Sequence, residues 1–161
     1  MTKLRLVENL SHRQRELTPP RLARYLAGRV RDLTGSSELA ALWVRRDTPY
    51  REIEGVDCWD AVRNALLYGG PHPVIAHPPC GPWGKYRMAS YESRAHAIFA
   101  MACVHEFGGV VEQPLGSALF RDFGLRSGWI ERISQADFGH LADKQTLLYF
   151  HPGREGLIFP R

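Results

Sequence analysis

No regular element can run through His77-Pro78-Pro79-Cys80-Gly81-Pro82-Trp83-Gly84, because three of its eight residues are prolines and two are glycines. The apolar run Val74-Ile75-Ala76 that leads into it therefore reads as a strand that must stop, handing the chain to a turn. Two successive prolines fix φ and stiffen that turn, so Cys80 is presented on a rigid arm. In open α/β sheets, ligands bind just beyond the carboxyl ends of strands. Cys80 is accordingly read as a nucleophile, with the packed cysteine of an ordinary proline turn as the bland alternative.

The rest of the chain repeats this grammar. Ser11 followed by Gln14 is a capping box for a short helix over about 12 to 17. Thr18 can cap the next helix, with Pro19 and Pro20 in its first turn, Leu22, Leu26, Val30 and Leu33 along one face, and Gly35 as its stop. After Gly35-Ser36-Ser37 come short apolar runs separated by helical stretches, the pattern of βα units and a mostly parallel sheet. Strands are expected at Leu39 to Val44, Val56 to Trp59, Val74 to Ala76, from Val110 onward, near Ile133 to Ala136, and at Leu147 to Phe150. Helices are expected at Asp60 to Tyr68, Tyr91 to Phe107 and Ser117 to Phe123. The division that follows is a basic helical arm over 1–37 and an α/β domain over 38–161.

A chain of 161 residues suits one core. No apolar stretch is long enough for a membrane span, and the N-terminus is charged from Lys3 without a signal-peptide core, so a cytoplasmic protein without membrane contact is expected. Cys58, Cys80 and Cys103 are an odd set without CxxC spacing, which argues against disulfides and a zinc ribbon; no metal site is assigned. The net charge of +4 is uneven: residues 1 to 35 carry eight Lys or Arg against three acids. Arg21, Arg24 and Arg31 on the amphipathic helix are the candidate phosphate contacts of a nucleic acid, or simply a solvated face.

Three loops follow apolar runs and can converge at one end of the sheet: His77 to Cys80, Glu112-Gln113-Pro114 and Phe138-Gly139-His140. Glu112 ends a strand expected beside the Cys80 strand. A thiolate attacking C6 of a pyrimidine builds charge around the ring, and an acid on N3, its pKa raised by partial burial, assists that addition. A carboxylate capping the turn after Pro114 is the other reading of Glu112. His77, Pro79, Trp83, Lys85, Gln113 and His140 are the candidate substrate contacts around this pair. A hydrolase pairing Cys80 with His77 or His140 is a further option.

Pro78-Pro79-Cys80 after a strand, a strand-ending Glu112 with Pro114 two residues on, and Phe138-Gly139 leading to Lys144 together resemble the catalytic half of DNA cytosine-C5 methyltransferases. That resemblance implies a Rossmann-like fold, Cys80 as nucleophile, Glu112 as the glutamate of the Glu-Asn-Val motif, Lys144 on the first arginine of a later motif, and S-adenosylmethionine as donor. The glycine-rich turn that family places after its first strand is not visible here, since Leu39 to Val44 runs into Arg45-Arg46-Asp47. Asp57 or Asp60 can mimic the family's cofactor-side aspartate, or cap the helix at 60. The large target-recognition region is missing, with only about 20 residues between Glu112 and the strand near Ile133.

Residues 48 to 150 also resemble small bacteriophage proteins with an AHPPCGPWG motif, which implies a phage source and the host cytoplasm. The Pro-Pro-Cys turn is locally similar to that of thymidylate synthases. The expectation is a pyrimidine-modifying, methyltransferase-like enzyme acting on nucleic acid or a nucleotide, alone or with a protein partner or second copy. The alternative is a non-catalytic nucleic-acid or host-protein binding module on a degenerate methyltransferase scaffold.

Overall fold

Glycine at 35 and proline at 19 and 20 bracket the first helix, α1 (Pro20–Thr34). It ends where Gly35, at φ 71, turns left-handed and donates its N–H to the Arg31 carbonyl at 2.8 Å. Pro19, not Thr18, occupies the cap position, and no side chain caps this end. The computed structural model describes residues 18–84, 91–123 and 127–154; the short helix expected over 12 to 17 and Lys85 lie outside them.

Six strands follow: β1 (Leu39–Leu42), β2 (Val56–Trp59), β3 (Val74–Ala76), β4 (Gly109–Pro114), β5 (Trp129–Ser134) and β6 (Gln145–His151). They form one sheet in the order β2-β1-β3-β4-β6-β5. The pairs β1–β2, β1–β3 and β3–β4 are parallel, whereas β6 runs antiparallel to both β4 and β5. The architecture is thus α/β with a mostly parallel sheet. Its reversed member, β6, lies between β4 and the edge strand β5.

Alternation along the short strands divides the core in two. Leu39, Ala41, Ile75, Val110, Leu148 and Phe150 face α1, whose Leu22, Leu26 and Val30 are fully buried against them. The opposite face carries Ala40, Leu42, Val74, Ala76 and Val111 against Ala97, Ala100, Met101 and Val104 of α2 (Tyr91–Phe107). The helix expected as a basic arm is therefore a layer of the fold. Its charge is on the outer face, where Arg21 and Arg24 are exposed.

Glycine decides the closest strand approach. A Cβ on Gly109, which has φ +130, would lie 1.9 Å from the Val74 carbonyl oxygen, so only glycine lets β4 enter beside β3.

Three expected elements differ. Asp60 to Tyr68 is not a helix: Asp60 accepts backbone N–H groups from Val62 and Arg63, Asn64 sits at φ 54, and only a 3-10 turn forms at Ala65–Leu67. Short polar side chains offer the backbone local partners that compete with a helix. The strand near Ile133 to Ala136 begins earlier, at Trp129, and ends at Ser134, whose hydroxyl accepts the Ala136 N–H and starts a 3-10 turn, Gln135–Phe138. A last short helix, α3 (Leu119–Phe123), starts two residues later than expected, with the Ser117 hydroxyl accepting the Leu119 N–H. Among the described residues no helix is long and apolar enough to cross a membrane.

Candidate active site

The order β2-β1-β3-β4 means that the chain leaves β1 to one side and returns to the other, so the loops after β1 and β3 diverge. Such a switch point opens a crevice beyond the carboxyl ends of the strands. A cavity of about 310 Å³ lies there, lined by Trp43, Val44 and Arg45 after β1, by His77 to Cys80 after β3, by Glu112 to Pro114 at the end of β4, and by Lys144 before β6. That volume is at the lower end of the range for small-molecule sites.

Cys80 is exposed, at the start of the 3-10 turn Gly81–Trp83. Its arm is fixed from below. The fully buried Gln113 amide donates to the Pro78 carbonyl at 3.0 Å and accepts from the Ser117 hydroxyl at 2.9 Å. Gln113 borders the cavity, but both ends of its amide hold the protein together, so it positions the proline turn and is not the substrate contact expected of it.

Glu112 lies in the same cavity as Cys80, its side chain 12% exposed. One carboxylate oxygen meets His77 Nδ1 at 2.6 Å and the other accepts from Gln135 Nε2 at 2.6 Å. Burial pushes the Glu112 pKa up, but the hydrogen bond from His77, then the Lys144 charge and the Gln135 hydrogen bond, outweigh it and hold the carboxyl below its ordinary value. The raised pKa expected from burial is thereby corrected. Partial burial alone did not reveal that three partners would be waiting.

His77 is bonded on both sides, its Nε2 lying 3.0 Å from the Tyr50 hydroxyl. With Nδ1 on Glu112 and Nε2 on Tyr50, it is not the base of Cys80, and the pairing needed for a Cys-His hydrolase is not formed. His140 does not supply it either: its Nδ1 is 3.0 Å from the Ala142 N–H in a local turn, and it does not line the cavity.

The remaining candidates separate clearly. Pro79 is exposed and lines the cavity, as does Lys144. Trp83 does not reach it; it is 7% exposed in the core beneath, edge-on to Phe123. Arg31 is tied to the Ser37 and Glu54 carbonyls, which leaves Arg21 and Arg24 as the outward cations of that trio. Asp57 is bound by Arg63 and by the Trp59 indole N–H and lines neither cavity described here. Among the described residues, no group of three His, Cys, Asp or Glu side chains could hold a metal ion.

A second cavity, of about 370 Å³, adjoins the first and shares Trp43, Val44, His77 and Pro79 with it. Asp60, Asn64 and His96 complete it. Asp60 already caps its turn and pairs with Arg51 at 2.8 Å. Sequence reasoning missed Tyr50 and Gln135, the hydrogen-bond partners of His77 and Glu112, and it also missed Trp43. Trp43 packs against the core, and it also borders both cavities, donates its indole N–H to His96 at 2.7 Å, and has φ 55 at the exit of β1. A left-handed turn stands where a glycine was sought, and because tryptophan rarely adopts one, composition gave no signal for it. Comparison of the chain with protein-family models, with curated proteins and with solved structures finds no match.

Proposed function

We propose that this protein is a Rossmann-like enzyme that modifies a pyrimidine base of nucleic acid or of a nucleotide, with Cys80 adding to C6 and Glu112 serving the N3 edge. The observation that carries this reading is the joint occupation of one crevice by an exposed thiol on a stiff turn and a deeply set carboxylate. The strand order 2-1-3-4 of the parallel part is that of doubly wound nucleotide-binding sheets.

The ionised state of Glu112 refines its role. A carboxylate beside N3 favours a ring protonated there, and that ring is the better electrophile for a thiolate. Glu112 thus acts as the counter-charge of the protonated base. Its two oxygens offer about four lone-pair sites, so the hydrogen bonds to His77 and Gln135 leave room for the base edge. Lys144 and Arg45, which both line the cavity, would meet the phosphate or carbonyl oxygens of the substrate. Arg21 and Arg24 would add remote phosphate contacts.

The adjoining cavity offers S-adenosylmethionine the Trp43 indole for an adenine ring and Asn64 for a ribose hydroxyl, while Asp60 on its wall is held by its own turn and by Arg51. Bound there, the cofactor would supply a methyl electrophile. A phage source, action in the host cytoplasm, and a protein partner or second copy belong to the same proposal.

The test is adduct formation with an oligonucleotide containing 5-fluorocytosine or 5-fluorouracil, with and without S-adenosylmethionine, read by intact mass. The wild-type protein should form the adduct and Cys80→Ser should not. Oligonucleotide binding without any adduct, unchanged by Cys80→Ser, would overturn the enzymatic reading in favour of a binding module.

A further inference from the structure

We propose that Tyr50 and His77 are positioning residues that fix Glu112 as a one-way hydrogen-bond acceptor at the base-facing wall of the cavity. This rests on the proposed role of Glu112 and adds two residues to it. Tyr50 comes from the 3-10 turn Pro49–Glu52, His77 from the end of β3, Glu112 from β4, Gln135 from the turn after β5, and Thr146 from β6. Their polar atoms form one line across the carboxyl end of the sheet. The distances are 3.0 Å from Tyr50 to His77, 2.6 Å from His77 to Glu112, 2.6 Å from Glu112 to Gln135, and 3.0 Å from Gln135 to Thr146.

The direction of each bond follows from the donor inventory. Thr146 donates its hydroxyl proton to the Lys144 carbonyl, so it accepts from Gln135, whose NH₂ group then gives its other proton to Glu112. At the other end Tyr50 is fully buried, which pushes its phenol well above its ordinary pKa and keeps it an O–H. Donating to His77 Nε2, it leaves the ring proton on Nδ1, facing Glu112. Both ends of the line therefore point their donors at one carboxylate.

A buried carboxylate is costly unless it is met by strong donors. Four residues from four segments meet that cost here, His77 and Gln135 directly and Tyr50 and Thr146 behind them, and the carboxylate they hold lines the cavity that contains Cys80. The charged and titratable groups that face Glu112 are His77, with Tyr50 behind it, and Lys144; Arg45 and Cys80 share the cavity. Removing His77 takes away a donor while leaving the burial in place. The carboxyl should then hold its proton to higher pH.

The experiment follows Glu112 itself, by isotope-edited infrared titration of the carboxyl band in wild type, His77→Ala, His77→Asn and Tyr50→Phe, with Glu112→Gln assigning the band. In His77→Ala the titration should move up beyond the ordinary carboxyl range. His77→Asn, whose side-chain N–H can replace Nδ1–H, should restore most of the shift, and Tyr50→Phe should fall between wild type and His77→Ala. Adduct formation with the 5-fluorocytosine oligonucleotide should drop by about tenfold to a hundredfold in His77→Ala and recover in His77→Asn. A Glu112 titration that is the same in wild type and His77→Ala overturns the inference. Because the titration needs no substrate, it still decides the matter if the wild-type protein forms no adduct.

Discussion

Gln113 makes no demand on a ligand, yet the position of Cys80 depends on it through the Pro78 carbonyl. Replacing it with leucine leaves that carbonyl and Ser117 without their partner, and a buried group so abandoned costs about 1–3 kcal/mol. Urea unfolding of Gln113→Leu should show a midpoint lowered accordingly, with adduct formation slowed beyond the loss in folded protein. The contrast with Cys80→Ser is useful, since an exposed thiol-to-hydroxyl change should leave the unfolding free energy within about 0.5 kcal/mol of wild type. Cys80 and Glu112 could be picked out of the chain because each follows an apolar run, which is local information, although β4 runs on to Pro114 and so Glu112 is not the strand end that was expected. Their supports could not: Tyr50 lies 27 positions before His77 and Gln135 lies 23 after Glu112. A buried polar pairing is set by which elements the sheet brings together, and nothing in the spacing of those residues announces it.

Helix α1 carries two roles on opposite faces, and they can be separated by substitution. Leu26→Ala, at a fully buried position, should cost about 2–5 kcal/mol. Arg21→Ala and Arg24→Ala, at exposed positions, should each stay within about 0.5 kcal/mol while weakening any oligonucleotide binding and flattening its salt dependence. Gly109→Ala should be worse than Leu26→Ala for its size, because the added methyl meets the Val74 carbonyl in a backbone conformation alanine avoids. Thermal melts rank these variants directly. The elements easiest to read were those with one dominant signal: the apolar run Val74–Ala76, and the long alanine-rich stretch Tyr91–Phe107. Residues 60–68 were misread because helical spacing was weighed above the local bonding of Asp60 and Asn64. The reversed strand β6 was not legible, since strand direction depends on connections and not on the residues of the strand.

Taken whole, the molecule should lose stability on acidification. His151 is fully buried; burial first, then the neighbouring His105, lowers its pKa from 6.5 to about 4. The unfolded chain binds that proton more readily than the fold does, so this contribution is complete above about pH 6.5 and disappears as pH falls toward 4. The loss is on the order of 3 kcal/mol, and His151→Phe should flatten this limb of the stability curve measured by denaturant unfolding across pH. Glu112, whose carboxyl is also held down, adds a further loss in the same direction at lower pH. A different kind of coupling comes from Trp43, a single indole that is a wall of two adjoining chambers. Two ligands housed on either side of one ring cannot bind as strangers: whichever arrives first sets the pose of the partition for the second, and the favour or penalty must be returned in equal measure.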